Sequence, residues 1–215
     1  IRAARELARR FGIEAGAHIH LDKRVPYGAG LGSGSSDAAS TIHLLNRLWG
    51  IQARTGELLE VAAAVGSDVA FFLDGSLAYA EGRGERVVSL QCSGVLTSFF
   101  IVVVVPHVHI SSGDAYGLVT PNADSRPDLR DVVCRTDVES WHETLTNDFE
   151  APVLARHAEV AQAKAAMQLS GAAYASLSGS GSAVYGLFAT EEDAVRASAH
   201  QKFVGMRVWV GPIRV

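Results

Sequence analysis

The sequence predicts a mixed fold of the α+β or α/β class, and three observations lead there. Segments with helical spacing of apolar residues alternate with short segments of strand character. No long structureless gap separates them. Two loops built almost wholly of glycine and small residues, 28–34 and 178–182, sit at junctions between such segments. With 215 residues, 48% of them hydrophobic and 20% charged, the chain can bury a core without staples.

The elements follow in chain order. Residues 1–10 place Ile1, Ala4, Leu7 and Ala8 on one helical face, with Phe11 beyond them and Gly12 as the stop. The chain begins at Ile1, inside this pattern, so it reads as starting in mid-domain. Residues 17–23 alternate, Ile19 and Leu21 against His18, His20 and Asp22, which predicts a half-buried strand. It leads into the first glycine loop, and a helix is expected from Ser35 or Ser36 to residue 49, with Ala39, Ile42, Leu45 and Trp49 inward. A short helix over 58–65 is closed by Gly66, and strands over 77–81 and 86–90 pair around Gly82 and Gly84.

The second half opens with a strand over 99–105. The polar stretch 122–127 reads as an exposed loop. One long amphipathic helix is expected over 151–169, then strands over 172–176 and 183–188, a helix over 191–201 and a last strand over 206–210.

Charge and cysteine usage exclude several classes. A net charge of −4 argues against a general nucleic-acid binder. The apolar run 99–106 is too short to span a bilayer, and no signal peptide is expected. Cys92 and Cys134 form no C-x-x-C pair, so neither a disulfide framework nor a thiolate zinc site is expected, and a reducing cytoplasm fits.

The stretch PYGAGLGSGSSDAA, Pro26 onward, carries the strongest chemical signal. Glycine lacks a Cβ, so its backbone can approach a ligand closely, and a helix starting just after the loop adds free N–H groups and a positive dipole end. That suits a polyphosphate. Gly34 is followed by Ser35 rather than lysine, and a G-x-G-x-x-G frame from Gly28 or Gly30 ends on serine, so neither common phosphate motif applies. A flexible linker is the alternative, disfavoured because ordered patterns abut the loop on both sides.

Other residues are more equivocal. Asp68, in VGSDVAFF, is expected to be partly buried; it is either a carboxylate with a chemical partner or the N-cap of a short turn. The second loop, Ser178 to Ser182, either holds phosphate through its amides or simply turns a hairpin. The pairs His18/His20 and His107/His109 lack a third ligand and read as edge histidines rather than a metal site. Glu81, Arg83 and Glu85 either contact a polar ligand or are solvated.

At these residues the chain resembles the GHMP kinases (galacto-, homoserine, mevalonate and phosphomevalonate kinases). PYGAGLGSGSSDAA is similar to their central ATP-binding motif and SLSGSGSAV to their C-terminal glycine motif. DKRVPYGAGLGSGSSD, VGSDVAFF, AEGRGE and LTNDFE together are similar to the members that act on a diphosphocytidyl methylerythritol in the non-mevalonate isoprenoid pathway. The resemblance implies an α+β fold, with an N-terminal domain like domain 2 of ribosomal protein S5 over 1–95, a ferredoxin-like C-terminal domain over 96–215, and an active site in the cleft between them.

It also implies roles. Pro26, Gly28, Ala29, Gly30, Leu31, Gly32, Ser33, Gly34, Ser35 and Ser36 would wrap the ATP phosphates, with Lys23 and Asp37 beside the nucleotide. Asp37 would face ribose, Mg²⁺ or solvent, because an anion near phosphates is costly without a cation. Asp68 would be the catalytic aspartate and Ser36 the candidate Mg²⁺ ligand. Ser112, Tyr116, Gly179 and Gly181 would meet the substrate, Tyr116 stacking on cytosine unless it is a core or rim tyrosine.

The expected protein is a cytoplasmic monomer or homodimer that uses ATP and Mg²⁺ on a small-molecule substrate, with no nucleic-acid or membrane partner. The family's first motif, a strand bearing a lysine and an asparagine, and its cytosine-binding tyrosine–histidine pair have no counterpart here. The chain is therefore expected to be N-terminally truncated, at a cost in stability and activity. Rivals are a mevalonate or homoserine type of GHMP kinase, a non-catalytic ATP-binding fragment, and a structural protein that binds no nucleotide.

Overall fold

The computed structural model describes residues 1–84, 86–92, 94–120, 127–134 and 137–214. Glu85 and residues 122–126 of the predicted loop lie outside the described residues. The chain divides into two units, Ile1–Tyr27 with Gly32–Leu90, and Gly28–Leu31 with Gln91–Val215.

In the first unit, α1 (Arg2–Phe11) ends at Gly12, left-handed at φ 63, with Arg9 and Arg10 complementing the helix dipole in its last turn. Next come α2 (Ser33–Leu48), α3 (Thr55–Val65) and α4 (Val69–Asp74). Apolar residues at helical spacing fill the core: Ala3 and Leu7 of α1, Ala39, Ile42 and Leu45 of α2, Leu58, Val61 and Ala62 of α3, and Val69 and Ala70 of α4.

Two helix starts lie earlier than predicted. The α2 helix begins at Ser33, because the Ser36 amide already donates to Gly32 O at 2.9 Å. The start of α3 is drawn back to Thr55 by the Arg54 amide donating to Glu57 Oε2 at 2.9 Å.

The expected strand over 17–23 does not form a ladder. Its alternation is present, but no strand pairs with it among the described residues, and Ile19 and Leu21 are 45% and 58% exposed. The predicted hairpin forms as β1 (Ala78–Glu81) against β2 (Arg86–Ser89), in register from Ala78↔Ser89 to Glu81↔Arg86.

The second unit contains β3 (Phe100–Val105), α5 (Ser112–Tyr116), α6 (Leu129–Val133), α7 (Trp141–Thr144), α8 (Glu150–Arg156), α9 (Ala158–Leu169), β4 (Tyr174–Leu177), β5 (Val184–Phe188), α10 (Glu191–Ser198) and β6 (Arg207–Pro212). Its antiparallel sheet runs β4-β5-β3-β6. Two strand–helix–strand excursions whose strands interleave in this order form a split βαβ arrangement, so the class is α+β.

Register assigns the faces. Val102, Val104, Ala175, Leu177, Val184 and Phe188 share one side and pack on Val160, Ala163, Ala166 and Met167 of α9 and Ala194 and Ala197 of α10. The opposite face carries Tyr174 and Tyr185, with Trp141 of α7 edge-on to Tyr174 at 5.7 Å.

Three further expectations are corrected here. The single helix over 151–169 is two, broken at His157 (φ −124, ψ 86). The His157 amide closes α8 on Val153 O at 2.9 Å, and its carbonyl opens α9 by accepting from Val160 N at 3.0 Å. Both segments therefore keep their hydrogen bonds while Val153 and Val160 stay fully buried. The helix over 191–201 stops at Ser198, and a separate 3₁₀ turn covers Gln201–Phe203. Cys92 and Cys134 form a disulfide with Cα atoms 5.1 Å apart, so cysteine usage no longer argues for a reducing compartment. No helix among the described residues is long and apolar enough to cross a membrane.

Candidate active site

The two glycine loops touch in the second unit, which contains Gly28–Leu31 of the first loop. Gly30 is left-handed at φ 75, and a Cβ there would lie 1.9 Å from Ser178 O. Only glycine permits that approach. Ser178 Oγ donates to Gly30 O at 2.8 Å, and the Ala183 amide donates to Ala29 O at 3.0 Å. Ala29, Val105 and Ala183 form a small buried cluster with Leu31 and Val103 beneath this contact.

The second loop is also closed on itself. Ser178 N donates to Ala183 O at 2.8 Å, and Gly181 N to Ser178 O at 2.9 Å. The segment is thus a hairpin connection between β4 and β5, and it is also the surface on which the first loop rests.

Residues around these loops come from several elements. His109 lies against Gly28, where an added Cβ would be 2.5 Å from the imidazole Cε1. Ser112, first residue of α5, brings its Oγ to 3.4 Å from Ser180 Oγ. Tyr116 ends the same short helix, 69% exposed, with its ring edge-on to Phe149 at 4.9 Å. It is a surface aromatic, available for stacking on one side.

Gly179 and Gly181 both lie in the loop itself, near Asn147 and Ile110 respectively: Asn147 Nδ2 donates to Gly179 O at 2.8 Å, and a Cβ on Gly181 would be 3.4 Å from Ile110 Cδ1. Ser182 Oγ is buried without a hydrogen-bond partner among the described residues. Burial raises the pKa of Tyr174 and, more strongly, that of Tyr185, so both phenols on the far face of the sheet stay neutral.

In the first unit, the N-terminus of α2 gathers the remaining loop residues. The amides of Ser33, Gly34 and Ser35 precede the first intrahelical hydrogen bond, the state in which a helix start meets anions. Ser33 is buried and donates its hydroxyl to Pro26 O at 3.0 Å, bracing the loop entry. Lys23 Nζ pairs with Asp37 Oδ2, each side chain about a third exposed. That cation answers the electrostatic difficulty of an aspartate placed beside a phosphate loop.

Asp68 is exposed, not partly buried as expected, because α4 turns its neighbours Val69 and Ala70 inward instead. It occupies the N-cap position of α4, yet its carboxylate makes no capping hydrogen bond. Gly84 leaves room for it: a Cβ there would be 3.2 Å from Asp68 Oδ1.

His107 Nε2 meets Gly205 O at 2.5 Å, and His18 and His20 are exposed. Among the described residues no group of three or more His, Cys, Asp or Glu side chains is arranged to hold a metal. Sequence reasoning placed Ser178 in the second loop without its contact to Gly30, and it missed His109 and the side chains of Asn147 and Glu150 as parts of this assembly. The last two sat in plain view within LTNDFE, a motif whose geometry no local pattern reveals.

The N-terminal domain model of the GHMP kinases matches residues 1–76, and their C-terminal domain model matches residues 112–203. The chain belongs to the GHMP kinase family and is a small-molecule kinase.

More particularly, it is 48% identical over 204 residues to 4-diphosphocytidyl-2-C-methyl-D-erythritol kinase of Salinibacter ruber, covering 94% of this chain and 71% of that one. The crystal structure of a 4-(cytidine 5'-diphospho)-2C-methyl-D-erythritol kinase superposes with TM-score 0.78 at 32% identity, covering 98% of this chain and 76% of the other. A homoserine kinase from Cytophaga hutchinsonii matches at TM-score 0.73 and 21% identity, covering 98% of this chain and 74% of that one, a likeness of fold alone.

Proposed function

We propose that this chain transfers the γ-phosphoryl group of ATP to the methylerythritol hydroxyl of 4-diphosphocytidyl-2-C-methyl-D-erythritol, in isoprenoid precursor biosynthesis. The observation that carries the reading is the 48% identity to a kinase of that name across 94% of the chain. The contact between the two glycine loops supports the phosphoryl-transfer part of it.

Phosphoryl transfer depends on position and electrostatics more than on covalent chemistry by the protein. In this reading the amides of the first glycine loop and the start of α2 hold the β- and γ-phosphates. Lys23 keeps Asp37 neutralised beside them. Asp68, exposed and free of a capping role, orients the attacking hydroxyl and accepts its proton as transfer proceeds. Tyr116 offers its open ring face to the cytosine, and Ser112, Gly179 and Gly181 line the substrate.

Mg²⁺ takes few protein ligands and keeps water and phosphate oxygens, so the lack of a carboxylate cage among the described residues does not conflict with it. Ser36 Oγ, with Asp37 adjoining, would hold it, and its charge would offset that of the phosphates. ATP supply points to the cytoplasm as the compartment.

The test is ADP release with the cytidine-linked substrate, set against mevalonate and homoserine. The cytidine compound should be turned over and the other two ignored; turnover of mevalonate or homoserine in its place would refute the assignment. Asp68→Asn should lower kcat by about a hundredfold or more while ATP still binds, and near-parental kcat would remove Asp68 from the chemistry.

A further inference from the structure

The polar network behind the second glycine loop converges on a single residue of an edge strand. Glu150, first residue of α8, accepts from Leu177 N at 2.9 Å and from Ser176 Oγ at 3.2 Å through Oε1. Its other oxygen pairs with Lys164 Nζ of α9 at 2.6 Å, and the two side chains are only 19% and 17% exposed. Asn147, three residues earlier, donates from Nδ2 to Leu177 O at 2.9 Å and to Gly179 O at 2.8 Å, while its Oδ1 accepts from Phe149 N at 3.0 Å. Its amide orientation is therefore set, since a flipped group would face two carbonyls with its oxygen.

Leu177 is the last residue of β4, and β4 is an edge of the sheet. Its N–H and C=O are both taken up by these two side chains. An outward-facing edge would otherwise be free to slip or to pair elsewhere.

From Leu177 the constraint passes directly to the nucleotide loop. Ser178 follows, its hydroxyl on Gly30 O and its carbonyl filling the space a Gly30 side chain would need. A buried ion pair is weak evidence for stability, because an apolar replacement of similar volume often does as well. What this network supplies is one defined position for the second loop, and through it for the first.

We propose that Asn147 and Glu150 are positioning residues for the nucleotide: they touch neither ATP nor substrate, and they set where Gly28–Leu31 presents its amides. The inference rests on the kinase reading above. Lys164 completes the set by pairing with the other oxygen of Glu150 and so fixing the direction of its carboxylate.

The test uses the full chain, with calorimetric titration of ATP, thermal melting, and the split of kcat from the KM for ATP. Asn147→Asp keeps the size of the side chain and its acceptor for Phe149 N but turns both donors into an oxygen facing two carbonyls. It should weaken ATP binding about tenfold or more.

Ser178→Ala cuts only the loop-to-loop hydrogen bond and should act in the same direction, about threefold or more, with little change in melting. It decides the matter if Asn147→Asp folds poorly. Glu150→Gln keeps the acceptor for Leu177 N and should retain affinity that Glu150→Leu loses. Parental affinity in both Asn147→Asp and Ser178→Ala, with ATP still bound by the unmodified chain, overturns the positioning role alone. Failure of the unmodified chain to bind ATP overturns the kinase reading, and this inference with it.

Discussion

Two glycines of the first loop separate backbone need from local preference. Gly30 is left-handed at φ 75 and abuts Ser178 O, so Gly30→Ala meets both an αL penalty and a backbone clash. The αL penalty alone is roughly 1–2 kcal/mol, so denaturant unfolding should show a loss of at least that size, together with lost ATP binding. Gly34 has open space around its Cβ position and lies in the first turn of α2. Gly34→Ala should therefore raise stability by about 0.5–1 kcal/mol in the same assay. A loss at Gly34 would mean that the α2 start is held in a shape alanine cannot take.

Lys23 and Asp37 make a related case. As a partly exposed pair they are worth no more than about 1 kcal/mol to the fold, so Lys23→Met should leave the melting temperature nearly unchanged while raising the KM for ATP. The glycines and the aspartate were legible as residue types. That a lysine upstream neutralises the aspartate was not, since nothing in the spacing marks the pair.

At the scale of elements, α10 starts at Glu191, where the sequence placed it, although it ends earlier, at Ser198. Thr190 Oγ1 accepts from Asp193 N at 3.1 Å and donates to Asp193 Oδ2 at 2.7 Å, a cap written within four consecutive residues. Thr190→Ala should cost about 1 kcal/mol. The Thr190 hydroxyl, and after it Arg196, hold the Asp193 carboxylate below the usual aspartate range. A depressed pKa contributes stability that is complete above the unfolded value and is lost as pH falls through the folded one. Melting followed from neutral pH into acid should therefore fall less steeply for Thr190→Ala than for the parent.

Elsewhere the local pattern was right but incomplete. Residues 17–23 alternate like a strand, yet a strand also needs a partner to pair with, and alternation does not supply one. Residues 151–169 hold no glycine, and their one proline stands near the start, so nothing announced the break at His157. The break shows only in hydrogen bonds that cap one helix and open the next.

At the scale of the molecule, the disulfide between Cys92 and Cys134 closes 42 residues of chain. The loop-entropy relation gives about 4 kcal/mol for a closure of that length. Cys134→Ser should lower the melting temperature in oxidising buffer and leave it unchanged in excess reductant, and thiol titration of the denatured parent should find no free cysteine before reduction. Two free thiols in the protein as purified would show that the bond does not form in solution.

The sequence by itself determined a mixed helix-and-strand class, the helices that carry continuous apolar faces, both glycine loops and the family they mark. Those features are local, written in residues within a turn or two of one another. Only the tertiary structure decided that the two loops rest on each other, that Asn147 and Glu150 hold the second one, that Lys23 meets Asp37, and that two lone cysteines join. Each of these depends on groups brought together by the packing of distant segments, and a contact between Gly30 and Ser178 leaves no trace in the spacing of either.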